Sequence, residues 1–157
     1  MKDLTRTTKN ILGLSNNTHE RILAIDFGEK RIGLAISDPF QIFSIPLKTL
    51  SNNKNFWEHI KQIIIENNVV KIVLGYPLNE NGTKSFITQK VENFEDELEK
   101  KTKLAVILYD ERYSSEIAQN VIISTIKSKK KRQDKSLLDM RAAAVILQDY
   151  LNENKEN

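Results

Sequence analysis

Apolar side chains alternate in direction over Arg21–Phe27, with Ile22, Ala24 and Asp26 on one side and Leu23, Ile25 and Phe27 on the other. Both sides are largely apolar, so the pattern predicts a strand in the middle of a sheet. Gly28-Glu29-Lys30 is a turn, and Arg31–Ser37 repeats the strand pattern. So short a connection makes the pair an antiparallel hairpin. Asp38-Pro39 opens a second turn into a third strand over Ile42–Leu50. Pro46 lies inside that strand, and a residue with no backbone N–H belongs at a sheet edge. The period then lengthens. Phe56, Trp57, Ile60, Ile63 and Ile64 form a helical stripe within Asn53–Asn67. Val69–Gly75 is a short apolar fourth strand, followed by a loop over Tyr76–Gly82. Thr83 is a candidate cap for a helix to about Thr102, with Phe86, Ile87, Val91, Phe94 and Leu98 inward. Leu104–Tyr109 is a fifth strand. A helix over Ser114–Ile126 would bury Ile117, Ala118, Val121 and Ile122, and a last helix covers Ser136–Leu151.

The first three strands form an antiparallel meander. The last two are each reached through a helix, which makes them parallel crossovers. The expected architecture is α/β: a mixed five-stranded sheet, order 3-2-1-4-5, with helices on both faces. The chain has 157 residues, one domain's worth. The expected organisation is a polar tail over 1–20, one domain over 21–152 and a short tail over 153–157. Within the first tail, Ile11, Leu12 and Leu14 form one apolar patch, to which no function is assigned.

The chain contains no cysteine, which excludes disulfides, thiolate catalysis and cysteine-ligated metal sites. No apolar run approaches the ~18 residues of a membrane span, and residues 1–20 do not read as a secretory signal. A cytoplasmic protein without membrane partners is expected. The net charge of +3 says little alone, but its distribution is uneven. Lys127–Lys135 holds six basic residues and one acid, including Lys129, Lys130, Lys131 and Arg132. Glu92–Glu99 holds five acids and no base. A basic run of this kind suits contact with a polyanion backbone, or is simply a solvated loop.

Several acids stand where acids are costly. Asp26 ends an apolar strand, and Asp139 shares a helix face with Ala143, Ile146 and Tyr150. Asp110 and Glu111 directly follow the fifth strand. Each has a plain structural reading: turn formation, first-turn helix placement, or a solvated loop with Arg112 as partner. Taken together they read differently. The stated order brings the end of strand five near the end of strand one, and the Ala142-Ala143-Ala144 run lets the last helix approach the sheet. Asp26, Glu111 and Asp139 can then converge. Such a cluster is tolerable with a bound cation or deep solvation, and oxygen-only ligands suit Mg²⁺ or Mn²⁺. Two such ions can clamp the attacking and leaving oxygens of a phosphodiester.

Four segments carry a family resemblance. Ile25-Asp26-Phe27-Gly28-Glu29-Lys30-Arg31-Ile32-Gly33-Leu34-Ala35 resembles the opening motif of the YqgF family, relatives of the RuvC resolvase with the RNase H-like fold. Gly75-Tyr76-Pro77-Leu78-Asn79 with Asn81-Gly82-Thr83, Asp110-Glu111-Arg112-Tyr113-Ser114-Ser115, and Asp139 with Ala142-Ala143 and Ile146-Leu147-Gln148 resemble its later motifs. They occur in order across nearly all of Arg21–Leu151. Tyr113 departs from the aliphatic residue usual there, and the tail 1–20 extends beyond the family's core. The resemblance implies an endonuclease maturing the 5′ end of pre-16S rRNA, with Asp26, Glu111 and Asp139 as the metal-binding acids and Asp110 as an adjacent acid that could share the role. An older family label implies a Holliday-junction resolvase on branched DNA.

The remaining polar residues of these motifs are candidates for nucleic-acid contact: Lys30, Arg31, Asn79 and Arg112, with Lys129, Lys130, Lys131 and Arg132 from the basic run. Gly75 and Pro77 read as structural, Ser114 and Ser115 as helix caps, and His19, His59 and Trp57 as structural. A monomer or a homodimer is compatible with this reading, although cutting a junction symmetrically needs a two-fold dimer. A non-catalytic RNA-binding assembly factor is a further alternative. The Asp26-Phe27-Gly28 hairpin also resembles the phosphate loop of actin-like ATPases, which need two lobes where 157 residues supply one.

Overall fold

The computed structural model describes residues 19–113, Asn120, Ile122, Ser124 and residues 135–155. Five strands, β1 (Arg21–Asp26), β2 (Arg31–Ser37), β3 (Ser44–Ser51), β4 (Val69–Tyr76) and β5 (Ala105–Asp110), form one sheet. Helix α1 (Phe56–Glu66) precedes β4, α2 (Phe86–Thr102) precedes β5, and α3 (Lys135–Lys155) closes the described chain. A 3₁₀ turn over Glu111–Tyr113 leaves β5. The sheet order is β3-β2-β1-β4-β5, with β1, β2 and β3 antiparallel and β4 and β5 parallel to β1. This is the expected order and direction throughout. Pro46 sits on the edge strand β3, opposite Ala35, where the register with β2 shifts. The missing N–H therefore interrupts no interior ladder.

The alternation along each strand sorts the side chains into two cores. On one face, Leu23, Ile25, Ile32, Leu34, Ile72 and Leu74 pack with Phe56 and Ile60 of α1 and with Val91, Phe94 and Leu98 of α2. On the other, Ile22, Ala24, Ala35 and Val73 pack with Ala143, Ala144, Ile146, Leu147 and Tyr150 of α3 and with Ile122. The first face is built from large aliphatic and aromatic groups. The second sets the small side chains Ala24 and Ala35 of the strands against Ala143 and Ala144 of α3, so α3 lies close against β1, β2 and β3.

Four local expectations are corrected. The cap of α2 is Ser85, not Thr83. Thr83 is engaged in its own turn, where Asn81 Oδ1 accepts from its N–H and hydroxyl at 3.0 and 2.6 Å. Ser85 instead accepts from the Thr88 N–H, and Thr88 Oγ1 accepts in return from the Ser85 N–H. Phe86 is exposed rather than inward, since the helix begins there, and the Lys90 ammonium covers its ring. Thr88 takes the buried place, donating to the Pro77 carbonyl at 2.5 Å. Strand β3 starts at Ser44 because Asp38 accepts hydrogen bonds from the backbone of Phe40, Ile42 and Phe43 and holds them out of the ladder. Finally, α3 runs on to Lys155, four residues past the expected Leu151.

The helix expected over Ser114–Ile126 lies largely outside the described residues; Asn120, Ile122 and Ser124 are helical and Ile122 is buried. The basic run up to Asp134 also lies outside them, including Lys129, Lys130, Lys131 and Arg132. Among the described residues, no helix is long and apolar enough to cross a membrane.

Candidate active site

Asp26 continues the series Ile22, Ala24 and therefore faces α3 from the end of β1. Its register partner on β2 is Gly33. Gly33 lies against the backbone carbonyl of Asp139, and a Cβ on it would collide with that carbonyl. The bare glycine thus lets the start of α3 settle directly on β2, which sets Asp139 near Asp26.

Glu111 reaches the same place by a longer route. Strands one and five are not hydrogen-bonded neighbours, since β4 lies between them in the expected order. The gap is bridged at Gly75 on β4. The Glu111 carboxylate occupies the space that a Cβ on Gly75 would fill, alongside the tip of Ile146. Gly75 is more than a shaper of the loop that follows: it is the opening through which Glu111 crosses β4.

Asp26 and Glu111 line a cavity of about 300 Å³, walled from α3 by Leu138, Arg141, Ala142, Val145 and Ile146. Burial, then the negative charges of Glu111 and Asp139, push the Asp26 carboxyl up to about 7. Burial, then the charge of Asp110, raises Glu111 as well. Burial and the charge of neighbouring acids both disfavour the ionised forms. Asp139 is better compensated. Its Oδ2 accepts from Arg31 Nε at 2.9 Å in a partly exposed ion pair.

The other candidate residues are placed as follows. Asp110 falls on the opposite side of β5 from Ile107 and Tyr109, which pack on the α3 face. It accepts from Arg112 Nε and Nη2 at 2.7–3.1 Å and from the Arg112 N–H at 3.0 Å. Those hydrogen bonds hold its carboxyl below the usual range. Asp110 is therefore not drawn into the cluster, and Arg112 is turned to Asp110. Asn79 is committed to its own turn, donating from Nδ2 to Thr83 Oγ1 at 2.9 Å and from its N–H to the Thr83 carbonyl at 3.0 Å. Lys30 is exposed at the tip of the hairpin. Arg31 is held by Asp139. Arg141, not a candidate from sequence, lines the cavity. Its signal lies in the spacing: Leu138, Arg141, Ala142 and Val145 follow the i, i+3, i+4, i+7 pattern of one helix face.

Asp26 and Glu111 fit a hard divalent cation. Their donors are oxygens only, they are buried, and among the described residues no cation or hydrogen-bond donor meets either carboxylate. The full trio does not fit as the side chains stand. Among the described residues, no group of three acids or histidines is gathered closely enough to hold one ion, because Asp139 is turned to Arg31.

Comparison with known proteins bears on this arrangement. The RuvX family, described as Holliday junction resolvase, matches residues 20–153. The chain belongs to the RuvX family. This is the family of the sequence resemblance, and all three acids fall inside the matched span. A RuvX relative from Chlorobium phaeobacteroides (strain BS1), named "Putative pre-16S rRNA nuclease", is 45% identical over 139 residues, 88% of this chain and 95% of its own length. One of the same name from Dictyoglomus turgidum is 38% identical over 135 residues, 84% of this chain and 94% of its own. Among solved structures, T. thermophilus RuvC in complex with a Holliday junction substrate superposes with a TM-score of 0.57 at 12% identity, covering 87% of this chain and 96% of that one. The fowlpox virus Holliday junction resolvase gives 0.50 at 15% identity, covering 85% and 99%. At such identities the likeness shows the RuvX chain to have the RNase H-like fold of these proteins.

Proposed function

We propose that this chain is a divalent-cation-dependent endonuclease that hydrolyses phosphodiester bonds in RNA, with the 5′ end of pre-16S rRNA as its substrate. The observation that carries this reading is the pair Asp26 and Glu111, two buried acids of raised pKa on the floor of one cavity. The relatives named as pre-16S rRNA nucleases, matched over nearly their whole length, support the choice of RNA. Such a substrate also agrees with the cytoplasmic location expected from sequence.

Asp26 and Glu111 would hold the cation, with Asp139 completing the set on leaving Arg31. The bound ion, Mg²⁺ or Mn²⁺, would supply a water of lowered pKa and Lewis-acid stabilisation of the leaving oxygen. The chain's own residues do the rest. Burial keeps competing donors from the two carboxylates and raises both toward the protonated form, so a bound cation would take the place of a proton there. Arg31 neutralises Asp139 in the free protein and is released to a phosphate oxygen when Asp139 turns inward. Arg141, on the cavity wall, faces the charge that develops on the phosphate. Lys30 at the hairpin tip extends the backbone contact.

The test is cleavage of a pre-16S 5′-end transcript with Mg²⁺ or Mn²⁺, in parallel with a four-way DNA junction. Cleavage of the transcript that falls at least roughly 100-fold in Asp26→Asn is expected. Equal cutting by that variant, cutting of the junction alone, or metal-independent binding without any cutting overturns the proposal.

A further inference from the structure

At the opposite end of the sheet from Asp26, the connection between β2 and β3 and the start of β3 show a group of apolar side chains to solvent. Phe40 is 71% exposed, Phe43 58% and Ile45 44%. Exposed aromatics on a loose loop would mean little, but this loop is tightly held. Asp38 Oδ1 accepts from the N–H of Ile42 and Phe43 at 2.6 and 2.7 Å, and its Oδ2 from Phe40 at 3.1 Å. From the other side, buried Gln148 accepts from the Ser44 N–H at 2.9 Å and donates to the Ile42 carbonyl at 3.1 Å. A surface fixed in advance loses little entropy on being covered, which is the property of a docking surface.

The described start of the chain lies at this surface. Gln41 adopts a left-handed backbone with φ 54°, uncommon for a residue with a side chain. In that conformation its Nε2 donates to the Glu20 carbonyl at 2.9 Å. The next residue back, His19, lies against Phe40 with ring centroids 5.2 Å apart. The chain therefore enters β1 through His19 and Glu20 beside the apolar loop. Beside it is a cavity of about 260 Å³ with Ile22, Phe40, Tyr150 and Leu151 as its apolar wall and Gln41, Lys71, Asn154 and Lys155 as its polar one. The amino-terminal segment carries the patch Ile11, Leu12 and Leu14 within an uncharged stretch, Asn10–Asn17. Leu14 is five residues from His19, a reach of about 17 Å in extended chain. The segment also lies outside the family match, which begins at residue 20. An exposed apolar surface and an added apolar segment thus start from the same point.

We propose that Ile11–Leu14 folds back onto Phe40, Phe43 and the adjoining cavity, as an intramolecular strap joining the start of the chain to the end of α3. This proposal is independent of the nuclease reading, since the strap lies at the far end of the sheet.

The test uses the full chain with the photoreactive residue benzoylphenylalanine replacing the exposed Phe43. Irradiation is expected to give a cross-link within one chain, mapped by peptide mass to residues 11–14. Leu12→Asp with Leu14→Asp, in the Phe43-labelled chain, should abolish it. In the unlabelled chain the same pair should speed amide exchange over residues 40–45 about tenfold. Exchange of the buried β1 amides 22–25 must be the same in both proteins, which separates loss of the strap from loss of the fold. Cross-links that join two chains, no cross-link to 11–14, or unchanged exchange at 40–45 overturn the proposal.

Discussion

The two faces of the sheet solve different problems with the same strands. On the α1–α2 face, Leu23, Ile25, Ile32, Leu34, Ile72 and Leu74 fill space, and burial of large side chains holds the helices on. On the α3 face the strands offer Ala24, Gly33, Ala35, Val73 and Gly75, which yield space instead. The first face supplies stability. The second gives up side-chain volume so that a helix backbone and a glutamate can come within reach of Asp26. The lesson is that the acids are positioned by what their neighbours lack.

That contrast can be broken in graded steps, beginning with the largest effect. Asp26 is protonated near pH 3.8 when unfolded and near pH 7 when folded, so the folded state binds the extra proton between those values. Without metal, the protein should therefore lose stability as pH rises from about 4 to about 7, by roughly 4 kcal/mol from this group. Asp26→Asn should lack that loss, and the two proteins should converge below pH 4. Urea denaturation in chelator across the pH range measures it; parallel curves would refute it.

Next is Gly33→Ala, which drives a Cβ into the Asp139 carbonyl. Backbone has no rotamer by which to escape, so a destabilisation of about 1–3 kcal/mol is expected, with α3 displaced. On the opposite face, the neighbouring Ile32→Val removes one methyl from a core that merely fills space, and should cost about 1 kcal/mol. If Ile32→Val costs more than Gly33→Ala in thermal unfolding, the assignment of roles to the faces is wrong. The smallest effect is Arg31→Gln. Its pair with Asp139 is partly exposed, so stability should change by less than about 1 kcal/mol. Calorimetric titration of Mn²⁺ should nonetheless show tighter binding in this variant, since Asp139 is then free.

Periodicity makes the frame legible. Strand β2 has the bounds read from its alternation, and Pro46 marks the sheet edge by its residue type alone. The misreadings arise where short-range hydrogen bonding competes among similar residues. Thr83 and Ser85 are both cap-forming types, and the engagement of Thr83 by Asn81 leaves Ser85, the better cap, to start the helix. At the site, the residue types are readable but their pairings are not. Asp110 and Glu111 are adjacent in sequence and emerge on different sides of β5, one to Arg112 and one to the cavity. The contact of Arg31 with Asp139 spans more than a hundred residues and leaves no local trace. Gly75 reads as a loop-shaping glycine because the route of Glu111 over β4 exists only in three dimensions.

The packing of α3 has a consequence for the order in which the molecule comes into being. This helix closes the described chain, yet its partners are the three strands made first. During synthesis from the amino terminus, β1, β2 and β3 must wait with one face uncovered until Lys135–Lys155 has emerged. Asp139 arrives in that same final stretch. The acid cluster is thus assembled by the step that completes folding, and a prematurely ended chain has a half-formed sheet but no site.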